Sequence, residues 1–274
     1  MTIKECGPRI EAVKQRFRDY FQTAFDVEVF LLGKAGTCDK RNALFDICQE
    51  TYFEYLPGTL GETIGSGKKT AVLMYPYQIR YPAEFDRTLA HEFGHVYFCQ
   101  QNQTIVSKLK PVKLVEEEGG VAKFGYSIWS EFIAQSIANL VMNEEPHRIR
   151  FDRQEMFIQQ LYDALPGLDT QQTAVARNRR SIYLDGYKVN PYALGHYCAT
   201  YLTDPTIVCL LEDEPRAAQG LEDCTDKECA AIDDILDLLC KQLDKDRFWI
   251  VDEEYLESLG VLLNQLWNVC IMHK

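Results

Sequence analysis

The run TLAHEFGHVYF, residues 88–98, constrains the chain more than any other stretch. Pro82 suits the first turn of a helix, and Glu84 and Asp86 suit its positive N-terminal end. The pattern predicts one helix from about 82 to 101, with Phe85, Leu89, Phe93 and Val96 as a single apolar stripe. Thr88, His91, Glu92 and His95 lie to the side of that stripe. Any fold must bury the stripe against a partner layer and leave these polar groups at the margin. An exposed helix face more usually carries Lys and Glu. Gly94 costs about 1 kcal/mol relative to Ala in a helix interior, which points to a close approach there.

The chain has five histidines, and two of them stand four residues apart in this run. Residues i and i+4 lie one above the other on a helix face, so two imidazoles at His91 and His95 can converge on one ion. Zinc takes such nitrogens at about 2.0–2.1 Å. Glu92 follows the first histidine, beside the ion rather than on it, where a carboxylate can act as general base. The reading is one Zn²⁺ per chain on His91 and His95, with Glu92 as catalytic base.

These residues, His91-Glu92-Phe93-Gly94-His95, resemble the active-site helix of the zincin metallopeptidases. The resemblance covers residues 70 to 140 and implies a zinc peptidase. Its fold would be α+β and zincin-like: a small N-terminal mixed sheet with the active-site helix packed against it, then a mainly helical C-terminal lobe. It also implies that the strand expected at 70–76, TAVLMYP, is the sheet edge beside the cleft, pairing with extended substrate. A catalytic zinc needs three protein ligands and an open position. The metzincin branch would continue with Gly and His where this chain has Phe98 and Gln101, so that branch is rejected. The Glu-zincin branch takes a carboxylate from a downstream helix. Glu131 in WSEFIAQSIA is favoured, because an acid among Trp129, Phe132, Ile133 and Ile137 is costly to bury unless paired or metal-bound. The spacer from His95 is long, at 35 residues. Glu116, Glu117 and Glu118 are the rivals, in what reads as a solvated turn. Thermolysin-like enzymes carry an Asp where this chain has Gln135, so a close thermolysin relative is not expected.

A peptidase also needs a donor for the developing oxyanion, which His and Tyr supply in Glu-zincins. NPYALGHYCATYL (190–202) places Tyr192 and His196 on one helix face, with Gly195 permitting close packing. Either is a candidate stabiliser, and Tyr126 is a weaker one. The competing reading makes these residues the core of an amphipathic helix. GSGKK (65–69) is not a phosphate-binding loop: Glu62 stands where its first glycine belongs and Lys69 where Ser or Thr belongs. Arg148, Arg150, Arg153, Arg177, Arg179 and Arg180 have two readings, binding of a peptide carboxylate or pairing with an acidic surface, and the second is favoured.

Helices are expected over 9–25, 125–146, 152–164, 191–203, 227–243 and 253–268, and a strand over 27–32. Residues 100–120 read as loop with room for a short strand. A soft boundary at 143–150 suggests lobes of 1–145 and 146–274, or one continuous domain. A net charge of −12 argues against nucleic acid and anionic membrane as partners. The N-terminal stretch, broken by Lys4, Glu5, Arg9 and Glu11, does not read as a secretory signal, and no run reads as a membrane span. The ten cysteines show no Cys-x-x-Cys pair, so reduced thiols in a cytoplasmic protein are expected. The expected partner is a peptide or protein substrate. Two other classes remain: a regulatory protein that keeps the scaffold without catalysis, and a zinc hydrolase of a non-peptide substrate.

Overall fold

The computed structural model describes residues 2–33, 60–65, 70–109, 121–142, 183–184, 188–189, 191–203 and 226–272. The architecture is mixed α+β, with a small three-stranded sheet and mostly helical content. The chain divides into two compact units, one formed by Met1–Ser107 with Ile137–Glu144, the other by Lys108–Ser136 with Glu145–Lys274.

In the first unit, α1 (Ile3–Phe21) begins earlier than its apolar spacing predicts. The reason is a local cap: the Thr2 backbone N–H donates to Glu5 Oε2 at 2.8 Å, satisfying a donor that the helix leaves open. Those hydrogen bonds from Thr2 also hold the Glu5 carboxyl below the usual range. Gln22 ends the helix in the left-handed region at φ 49°. Cys6, Ile10, Val13 and Phe17 form its buried stripe.

Strands β1 (Glu28–Leu31), β2 (Gly61–Ile64) and β3 (Ala71–Met74) make one sheet in the order β1-β3-β2. β3 runs parallel to β1, with Val29 opposite Val72, and antiparallel to β2, with Thr63 opposite Val72. The segment expected as the sheet edge is therefore its centre. The apolar run of β3 states the reason: all four of its residues are buried, as a strand covered on both faces requires. Among the described residues the two edges of the sheet are β1 and β2, and β2 lies in a stretch read as an irregular turn. Four residues bounded by glycines are too short for alternation to be seen.

Helix α2 (Pro82–Gln101) follows, with the bounds its sequence predicts. Phe85, Leu89, Phe93 and Val96 are fully buried. α1 covers one side of it. Phe93 meets the Phe17 ring edge-on at 5.5 Å between centroids, and Tyr97 stacks on Phe21 at 3.9 Å. Arg9 and Asp86 tie the same two helices at 2.6 Å. Residues read as loop hold a short helix, α3 (Gln103–Lys108). Asn102 joins the two helices: its side chain donates to the Phe98 carbonyl at 3.0 Å, and its own carbonyl accepts from Ile105 and Val106.

Helix α4 (Val121–Val141) is buried over every position from Phe124 to Ser130. A helix apolar nearly all round belongs inside a core. Its residues through Ser136 lie in the second unit, with the hairpin β4 (Tyr183–Leu184) and β5 (Lys188–Val189) and with α5 (Pro191–Thr203), α6 (Asp226–Leu243) and α7 (Glu253–Met272). The last three helices agree with their predicted positions; the hairpin has no counterpart among the expected elements. α4 and α7 cross at glycines. A Cβ on Gly125 would fall 1.8 Å from the Leu256 carbonyl oxygen, and one on Gly260 would fall 2.0 Å from that of Val121. The buried Gln242 closes the α6–α7 turn by donating to the Phe248 and Ile250 carbonyls, each at 2.8 Å. No helix among the described residues is long and apolar enough to cross a membrane.

Candidate metal centre

The first group of site residues is built on α2. Helical spacing brings His91 and His95 together, with Nε2 to Nε2 at 3.1 Å and the rings at 87°. Two nitrogens bound to one tetrahedral ion at about 2.0–2.1 Å would stand about 3.3 Å apart, so the pair needs little adjustment to share one. Without an ion the same contact is a hydrogen bond from one imidazole N–H to the other ring's lone pair, which requires opposite tautomers. Both rings are half-buried.

Glu92 was expected at the margin of the helix. It is buried, at 7% exposure, because β2 covers it. Thr63 Oγ lies 2.8 Å from Glu92 Oε2 and 3.0 Å from its main-chain carbonyl. The hydroxyl has one proton, and the ionised carboxylate is the stronger acceptor. Gly61, two residues back on the same face of β2, makes the approach possible. A Cβ there would meet Met74 Sδ and Thr88 Cγ2 at 3.0 Å and Glu92 Cγ at 3.1 Å. Sequence reasoning missed both residues. The available signal was period-2 placement of a small residue and a hydroxyl in GETI, which the surrounding turn formers obscured.

The second group is built on α4 and α5. Glu131 Oε2 pairs with His196 Nε2 at 3.0 Å. The carboxylate is 12% exposed and the imidazole 42%. Gly195 sets this contact: a Cβ on it would lie 2.4 Å from the Ile128 carbonyl oxygen and 2.9 Å from Glu131 Cβ. Only a residue without a side chain lets α5 lie so close to α4 at that point. The structure thus joins two residues assigned separate roles, ligand and oxyanion donor. Behind them Leu194, Cys198 and Ala199 are fully buried. The burial of Cys198 pushes its thiol far above the ordinary range, which makes it an inert core group.

Tyr126, the weaker candidate, is buried at 2% exposure. Tyr192 lies on α5, and its side chain is outside the described set. Glu116, Glu117 and Glu118, the GSGKK lysines and the six arginines lie outside the described residues, as does the helix expected at 152–164. No family model, no curated protein and no solved structure matches the chain.

Proposed function

We propose that the chain is a zincin-like zinc metallopeptidase, with His91, His95 and Glu131 as ligands and Glu92 as general base. The observation that carries this reading is the 3.1 Å approach of the two imidazole nitrogens beside a buried carboxylate. A carboxylate is costly to bury, and a general base must lie within reach of the water it deprotonates, so a buried acid next to two histidines fits the catalytic role. The donor chemistry supports the same reading. Imidazole nitrogens with one carboxylate oxygen are a set that zinc accepts.

Zinc, when bound, supplies a Lewis acid that acidifies water and polarises a carbonyl. The chain's own residues do the rest. Glu92 accepts the proton of the attacking water and returns it to the leaving amine. His196 donates to Glu131, holding the carboxylate in one orientation. Tyr192 is a second donor. The substrate is a peptide or protein and the compartment cytoplasmic. Nucleic acid and membrane are not partners.

One observation favours a second reading. The contact between His196 and Glu131 offers a fourth donor, and four protein ligands close a zinc site and leave it structural. A single set of preparations separates the two: zinc content and peptide-library turnover for the parent chain, His91→Ala, Glu92→Gln and His196→Ala. The catalytic reading expects one zinc per chain, lost in His91→Ala. It expects zinc kept and turnover reduced about 10²–10⁴-fold in Glu92→Gln, and zinc kept in His196→Ala. Loss of zinc in His196→Ala with no turnover in the parent establishes the structural site. A parent chain that takes up no zinc overturns both.

A further inference from the structure

Thr63 belongs to no ligand set or acid–base pair, yet its hydroxyl meets the carboxylate on which the proposed reaction turns. We propose that Thr63 is the positioning residue of the general base, and that β2 is the brace that holds Glu92. The inference rests on the catalytic reading above. Two independent contacts carry it: the Thr63 hydroxyl 2.8 Å from Glu92 Oε2, and the missing Cβ of Gly61 over Glu92 Cγ.

The register explains why β2 acts in this way. Gly61 and Thr63 stand opposite Met74 and Val72, so both share the sheet face that meets α2. Glu62 and Ile64 point to the other face, where Ile64 joins Leu32, Ala71, Leu73 and Tyr75 in a core cluster and Glu62 accepts from the Tyr75 hydroxyl. That anchoring pins the strand from behind. The front of β2 is then a fixed surface, and the Thr63 hydroxyl directs one carboxylate oxygen toward the strand. A glutamate without this brace samples more rotamers and spends less time aligned with the attacking water, which lowers turnover more than substrate binding.

The test compares Thr63→Val, which keeps shape and removes the donor, with Thr63→Ser, which keeps the donor. Thr63→Val is expected to keep its zinc, to lose about 10–100-fold in kcat and to leave KM within about threefold, while Thr63→Ser recovers most of kcat. A second readout uses the metal-free chain. Thr63→Val should lower Tm by about 2–4 °C in the parent and by clearly less in a Glu92→Leu background, because the bond is already gone there. If the parent is active and Thr63→Val matches it in kcat, or if the Tm losses simply add, the positioning role is overturned and the catalytic reading stands. If the parent binds no zinc and cleaves nothing, the catalytic reading fails first and the positioning role with it, even where the Tm coupling is found. A fall in kcat that Ser does not restore marks Thr63 as a packing residue and overturns the role as well.

Discussion

The two groups of site residues are held in opposite ways. On α2 the spacing within one helix places His91, Glu92 and His95, and the sheet adds a brace of side chains: the atoms nearest a Cβ on Gly61 belong to Met74, Thr88 and Glu92. On α4 and α5 the placement comes from backbone meeting backbone. Gly125, Gly195 and Gly260 each let one helix reach the main chain of another, and the pairing of Glu131 with His196 depends on the second of these. A side chain can shift by a few tenths of an ångström; a helix carbonyl cannot. The first group should tolerate substitution around it, and the second should fail abruptly.

The sharpest way to break that contrast is Gly125→Ala or Gly260→Ala. A methyl group 1.8–2.0 Å from a carbonyl oxygen forces α4 and α7 apart, and a loss of about 3 kcal/mol or more is expected in chemical denaturation. A loss below about 1 kcal/mol would show that the crossing is looser than its geometry. Gly195→Ala comes next. Its methyl meets the Ile128 carbonyl at 2.4 Å, so about 1–3 kcal/mol should be lost. On the proposed zinc reading metal affinity should fall with it, since Glu131 and His196 move as one, and unchanged metal titration would detach that pair from the proposed ligand set.

The smallest effect concerns a surface acid far from both groups in sequence. Partial burial first, then Asp237 and Asp234, hold the Asp233 carboxyl above the usual range. A carboxyl raised in the folded chain binds its proton more readily there than when unfolded. Stability from this group therefore grows as pH falls through the window just above the ordinary carboxylate value, and is lost as pH rises. Asp233→Asn should flatten that dependence and stabilise the chain at neutral pH by about 0.3 kcal/mol, the size of one like-charge helix pair, and by less in high salt.

Much of the first group is legible in the sequence. The bounds of α2, its stripe and its two histidines follow from a period of 3.6 read over one continuous segment. The brace on Glu92 is not legible, because β2 is four residues long and its meaning lies in what it faces. The composition of β3 marks it as a strand but does not by itself place it in the sheet. Hydrophobicity reports burial, and both faces of this strand are buried, which is the property of a central strand rather than the edge expected of it. Glu131 stands out as an acid in an apolar helix, and His196 as a residue beside a glycine. That each is the other's partner is not readable from either segment.

The sequence by itself determined the position of most of the described helices, the HEFGH spacing and the identity of every side chain that can bear chemistry, because these depend on neighbours within a turn or two along the chain. Tertiary structure decided which strand covers Glu92, which strand is central, and that Glu131 and His196 meet. Those outcomes depend on contacts between segments far apart in sequence. Such contacts are selected by close packing and by where a missing Cβ admits another backbone, and no local pattern records them.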